Sequence, residues 1–273
     1  MNVHNELSNF SIIHGRAICS HMLYNNPNPL PEVSISDDVH ILTVVDKYGI
    51  SSESIDKINF KKGKINYIII DEYKKWISKI EELKNYIESN YDSLPKYILY
   101  LDAFDTLILK DILDPQEYLD YYKCKVLFNA EPAYHHTGFP GPEGTKNNYY
   151  DLLYYDGRNE YMDLNNTKYG HPLDNSLNAG VFIGEKDYVL SLLKETYDIM
   201  KDDPNKGFPY GCQDDQCVMR YLNNKHFDNI STDIFNLFTF WGCPELFKQP
   251  DSIYSIDYFK KYKHEYDNRM ARL

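Results

Sequence analysis

The chain has 273 residues, 42% hydrophobic and 26% charged, a balance that fits a globular protein and excludes wholesale disorder. Acidic residues outnumber basic ones by 41 to 29, a formal charge of −12, which opposes attraction to phosphate backbones and predicts no nucleic-acid partner. No apolar run is long enough for an integral membrane segment, and the opening MNVHNELSNF carries no secretory signal.

Five cysteines without a Cys-x-x-Cys pair fit reduced thiols better than a disulfide framework or a thiolate zinc site, and predict a cytoplasmic protein. The 26 tyrosines suit carbohydrate stacking. They also accompany abundant Asn, Lys and Ile, as AT-rich coding would give.

Residues 1–37 read as an N-terminal arm, polar and broken by the Pro-rich stretch Asn25–Glu32. Val39–Val45, β-branched and bounded by Asp38 and Asp46, predicts a buried strand, and residues 66–70 (NYIII) a second. Trp76, Ile80, Leu83 and Ile87 recur at helical spacing and predict a helix over 72–90 with these four on its buried face. Tyr97–Leu101 reads as a third strand, ending at Asp102, and Lys125–Asn129 as a fourth. Residues 132–175 are long, Gly/Pro/Asn/Tyr-rich and weakly periodic, the character of a functional loop or an insertion.

Leu177–Gly184 predicts a further strand, followed by a helix near 185–201 carrying Tyr188, Leu192, Thr196 and Met200. Another helix opens at Asp214–Leu222, and 227–241 is aromatic and strand-like. Strands alternating with helices predict an α/β fold: a mixed, mostly parallel sheet flanked by helices, as one domain over 38–245, with a charged helical tail at 246–273. Ligands of such a sheet gather beyond the carboxyl ends of its strands.

The sharpest motif is Asp102-Ala103-Phe104-Asp105, directly after an apolar strand. Two carboxylates on the turn leaving a buried strand can converge on one hard cation, Mn²⁺ or Mg²⁺, whose shell substrate phosphates commonly share. Two enzyme classes place acids there. Asp102–Leu107 (DAFDTL) resembles the first motif of haloacid-dehalogenase-like phosphatases, in which Asp102 would be the nucleophile. That motif normally follows the first strand, and no later strand here ends in the expected acidic pair. The other class is the nucleotide-sugar-dependent glycosyltransferases of the GT-A (Rossmann-like) fold, where the pair sits mid-chain.

Four further blocks favour the second class. Phe128-Asn129-Ala130-Glu131, Leu177–Gly184 (LNAGVFIG), Asp214-Asp215-Gln216 and Ile234–Gly242 (IFNLFTFWG) resemble, in order, segments of the glycosyltransferase domain of procollagen lysyl hydroxylases. The resemblance covers 39–242. It implies a UDP-sugar donor with Mn²⁺ or Mg²⁺, and a hydroxyl acceptor that is a glycan, a protein or a small molecule. Asp102 and Asp105 would hold the metal, and Lys79 would meet the diphosphate. Thr43, Val44, Val45 and Asp46 would face the nucleotide, with Phe104 either bordering that pocket or lying in the core. Ala179 and Gly180 would admit the ligand to the backbone, and Asn178, Glu131, Asp214 and Asp215 would orient sugar and acceptor.

One family feature is missing. The family takes a third metal ligand from a histidine in an H-G-N-G-like segment, and nothing after Gly242 matches it. His264 reads as solvated within the charged tail, while His135, His136 and His171 fall in the long irregular segment. Oligomeric state is not legible.

Overall fold

The structure, a computed structural model, describes residues 7, 8, 10–26, 28–47, 55–71, 76–132, 175–202, 215–241, 264, 267 and 268. Most of the long 132–175 segment, and of the tail at 246–273, lies outside them.

Six strands form the main sheet: β3 (Val39–Asp46), β5 (Ile65–Ile70), β6 (Tyr97–Leu101), β8 (Val126–Pro132), β9 (Asn175–Glu185) and β10 (Ile230–Thr232). Their spatial order is β10-β8-β9-β6-β3-β5. β9 runs antiparallel to both its neighbours, and the other strands are parallel. The chain is therefore α/β with a mixed, mostly parallel sheet of Rossmann-like character.

Both sheet faces are buried, which is why the strand sequences read as apolar runs without polar alternation. Leu42 and Val44 of β3, Ile98 and Tyr100 of β6, Phe128 of β8 and Phe182 of β9 point to one side. There they pack on the helices α2 (Trp76–Ser89), α4 (Lys186–Asp202) and α5 (Asp215–Lys225). Ile41, Val45, Leu99, Leu101, Leu127, Val181 and Ile183 point to the other side.

That second side is covered largely by elements absent from the sequence-based reading. β1 (Ile12–His14) lies between β7 (Thr106–Ile108) and β11 (Thr239–Trp241) in a small three-stranded sheet. α1 (Arg16–Tyr24) and α3 (Pro115–Tyr122) pack beside it. β2 (Glu32–Ser34) and β4 (Asn59–Lys62) form a separate two-stranded ribbon. α3 starts where Asp114 accepts a hydrogen bond from the Gln116 amide at 3.0 Å, ahead of Pro115, and stops at left-handed Lys123.

Two expectations are corrected and one is refined. Residues 12–24 are no arm, because Ile12, Ile13, Ile18, Cys19 and Met22 are buried in the core. Trp76 leaves the buried face of α2 and is 52% exposed, whereas Ile80, Leu83 and Ile87 are buried as the spacing predicts. Residues 227–241 hold two short strands, β10 and β11, separated by a turn at Asp233–Asn236 whose carboxylate binds the backbone of the second strand. Among the described residues Cys19, Cys124 and Cys217 are free thiols, and no helix is long and apolar enough to cross a membrane.

Because β1 is the central strand of the small sheet, Ile13→Ala should lower unfolding free energy by about 2–5 kcal/mol. A residue in a peripheral arm would change it by less than about 0.5 kcal/mol. Urea denaturation of the purified variant distinguishes the two.

Candidate metal centre

The chain crosses from β5 through α2 to β6, on the opposite side of β3. Such a reversal marks the edge beyond the carboxyl ends of β3 and β6 as the place where ligands of these sheets bind. β6 ends at Leu101, and the Asp102 amide extends its ladder to the Gly180 carbonyl at 2.7 Å. Ala103 then turns into the core, Phe104 turns out, and after Asp105 the chain joins the small sheet as β7. The Asp102–Asp105 turn is thus the corner between the two sheets.

His14 arrives at the same corner. It ends β1, pairing with Thr106 on β7, one residue past Asp105. Gly15 follows with φ +119°, a conformation that costs glycine little. Its amide donates to the Asp105 carbonyl at 2.8 Å. The His14 ring is buried, with Nε2 3.3 Å from Asp105 Oδ1. One ligand atom from each of His14, Asp102 and Asp105 lies within 4.8 Å of the others. One imidazole nitrogen with two carboxylates suits a divalent ion such as Mn²⁺ better than Mg²⁺, which favours oxygen alone.

Gly180 makes the cluster possible. β8 and β9 fall out of register here: Phe128 pairs with Phe182 but Asn129 with Asn178, so Ala179, Gly180 and Val181 have no partner on β8. A Cβ on Gly180 would collide with the His14 ring, 2.6 Å from Nε2, and lie 2.7 Å from Asp102 Oδ2. The small residue expected to admit the ligand to the backbone leaves room for the His14 and Asp102 side chains.

Electrostatics knit the cluster together. Burial disfavours the charged His14 ring, but Asp105, Asp102 and the Asn129 hydrogen bond outweigh it and raise the pKa from 6.5 to about 9. Lys79, expected to meet the diphosphate, is 2% exposed on the inner face of α2. Its ammonium lies 2.6 Å from Asp215 Oδ2, 3.5 Å from Asp102 Oδ1 and 5.0 Å from the Tyr100 ring centre. Burial raises the Asp215 pKa, opposed by Lys79 and assisted by Asp102. Tyr100 donates to Asp102 Oδ1 at 2.7 Å.

A second buried network fixes the start of β9. Glu131 Oε1 accepts from Arg220 at 2.5 Å and Gln216 at 2.8 Å, and its Oε2 accepts from Asn178 at 2.6 Å. Asn178 Oδ1 takes the Gly180 amide at 2.8 Å, and Gln216 Oε1 the Ala179 amide at 3.1 Å. Glu131 and Asn178 therefore turn inward, Asn178 holding backbone and Glu131 anchoring the side chains around it. Arg220, fully buried, supplies the compensating charge.

The other candidates divide by position. Thr43, Val44 and Val45 are buried within β3, and of that group Asp46 alone is partly exposed, at the strand's carboxyl end. Phe104 is 57% exposed beside the two acids, so the core reading fails for it. Asp214, His135, His136 and His171 lie outside the described residues. His264 is exposed.

The resemblance implies a histidine ligand after Gly242, whereas the candidate that completes the acidic pair is His14. Its signal was the string Ile12-Ile13-His14-Gly15, a short apolar run ending in His-Gly. Compared with known proteins, the sequence matches no protein-family model, and no curated protein matches it significantly.

Two outcomes follow from this geometry. Gly180→Ala should weaken Mn²⁺ binding by about 10–100-fold, the loss seen when ligand placement is disturbed, as read by calorimetric titration. The folded state favours protonated His14, so its stabilisation is complete below pH 6.5 and is lost as pH rises through about 9. The metal-free protein should therefore lose about 3 kcal/mol across that window. His14→Gln should lack this component when urea midpoints are compared across the same pH range.

Proposed function

We propose that the chain is a metal-dependent glycosyltransferase of the GT-A class. It would move a hexose from a nucleotide-sugar, a UDP-sugar in the first instance, to a hydroxyl acceptor. The observation that carries the reading is the convergence of His14, Asp102 and Asp105 beyond the carboxyl end of β6. The resemblance of four sequence blocks to the lysyl hydroxylase glycosyltransferase domain supports it.

His14, Asp102 and Asp105 would hold the ion. A bound divalent cation neutralises the charge that builds on the nucleoside diphosphate as it leaves. Every other part belongs to the protein. Tyr100 and Lys79 hold Asp102 in place from the helix side. Lys79 also keeps Asp215 at the first turn of α5, within electrostatic reach of Asp102. Exposed Phe104 offers a flat apolar face for the nucleotide at the mouth of the site. Asp46, open at the end of β3, can accept hydrogen bonds from ribose hydroxyls. Glu131, Arg220 and Gln216 hold the Asn178–Gly180 backbone against the site, so their contribution is placement rather than contact with sugar.

UDP with Mn²⁺ should raise the melting temperature where neither alone does. A panel of UDP-sugars should reveal metal-dependent hydrolysis for at least one. Asp102→Asn and Asp105→Asn should each lower that rate by at least about 100-fold, the usual scale for loss of one electrostatic stabiliser in an active site. Release of phosphate from an aryl phosphate, with Asp102 trapped as an aspartyl-phosphate analogue, would replace this reading with the dehalogenase-like one.

A further inference from the structure

A histidine holds a metal through a ring nitrogen only when that nitrogen carries the lone pair, so the ring's tautomer decides whether the ligand works. For His14 the nitrogen facing Asp105 is Nε2. The other, Nδ1, lies 3.1 Å from Asn129 Oδ1. A side-chain amide can turn either way, and presenting its NH₂ here would force the proton onto Nε2 and abolish the site.

The rest of the contact chain removes that freedom. Asn129 Nδ2 donates to Thr239 Oγ1 at 2.6 Å, and Thr239 Oγ1 lies 3.2 Å from Asp233 Oδ2. That carboxylate oxygen already accepts the Phe238 and Thr239 amides at 2.8 and 2.5 Å. Two N–H donors on one oxygen leave it no proton to give. The single hydroxyl proton of Thr239 must therefore go to Asp233, and Thr239 Oγ1 can only accept from Asn129. The other oxygen of Asp233 is held by the Tyr122 hydroxyl at 2.6 Å and the Leu237 amide at 2.8 Å. Tyr122 in turn accepts from the Phe235 amide at 3.1 Å, which fixes its own proton toward Asp233. His14, Asn129, Tyr122, Asp233 and Thr239 are all buried, so water is not at hand to reverse the direction.

We propose that Asn129 is a positioning residue for the metal site, its amide oriented by Thr239 and Asp233 so that His14 carries its proton on Nδ1 and offers Nε2 to the ion. The inference rests on the metal reading above, and concerns residues that would touch neither metal nor sugar. The polarity originates at the Asp233 turn, crosses β11 and β8, and ends on the ring that closes β1.

The first test loads the unaltered protein with diamagnetic Zn²⁺. ¹⁵N NMR of labelled histidines, with His14 assigned by its absence in His14→Gln, should show Nε2 bound to the ion and the proton on Nδ1. A ring bound through Nδ1, or one that stays unbound, would overturn the proposal. The second test compares variants by Mn²⁺ titration, with circular dichroism to confirm folding. Thr239→Val, which frees the amide to turn, and Asn129→Leu should each weaken Mn²⁺ binding about 10–100-fold. Wild-type affinity in both, alongside a loss of binding in His14→Gln, would sink this inference and leave the metal site standing. Unchanged Mn²⁺ binding in His14→Gln would remove the metal reading itself, and the role of Asn129 with it.

Discussion

At Gly180 the chain carries a hydrogen where any other residue would place a carbon, and the candidate site depends on that vacancy. Two sheets meet there, β6 of one leading into Asp102 and β1 of the other presenting His14. Their side chains occupy the volume that a Cβ would fill. The bulge between β8 and β9 is the structural cause, because it lifts Ala179–Val181 off their partner strand and opens the step into which His14 reaches. Packing this tight leaves little room for compensation, since protein interiors transmit small volume changes to their neighbours.

Charge is arranged around that contact in pairs. The chain is acidic overall, yet three cationic groups are buried at the sheet edge, each against carboxylates. His14 faces Asp105, Lys79 bridges Asp102 and Asp215, and Arg220 meets Glu131. A buried ion pair contributes little net stability over a well-packed apolar pair, but removing one member leaves an uncompensated charge and costs several kcal/mol, about 3–5. The pairs therefore act mainly as constraints on position. Lys79 illustrates this: its charge is engaged by protein acids, which sets the separation of Asp102 from Asp215.

The two polar networks have a common design. Each begins on a buried carboxylate, Glu131 or Asp233, that accepts several donors from distant elements. Each ends on a group bordering the candidate metal centre: Asn178 and its neighbouring backbone in one case, His14 in the other. Fully satisfied networks of this kind specify a single arrangement, because any half-made alternative leaves a polar group buried without a partner.

Local periodicity was enough to place most of the main sheet. Val39–Val45, Tyr97–Leu101 and Leu177–Gly184 read as strands because both of their faces are apolar, and Ile80, Leu83 and Ile87 as a helical face because their spacing is. The acidic pair was legible because it follows a strand directly. β1 and β7 were not: each is three residues long, too short to display a period. The inward turn of Glu131 was hidden for another reason, since its partner Arg220 lies 89 residues away. What the sequence determined by itself is the α/β frame and the two aspartates at the end of its central strand, both products of neighbours along the chain. Only the tertiary structure decided that His14, separated by 115 residues from the Asn129 that orients it, joins them. Such a meeting depends on which strands pair across two sheets, and no local pattern of residues encodes that.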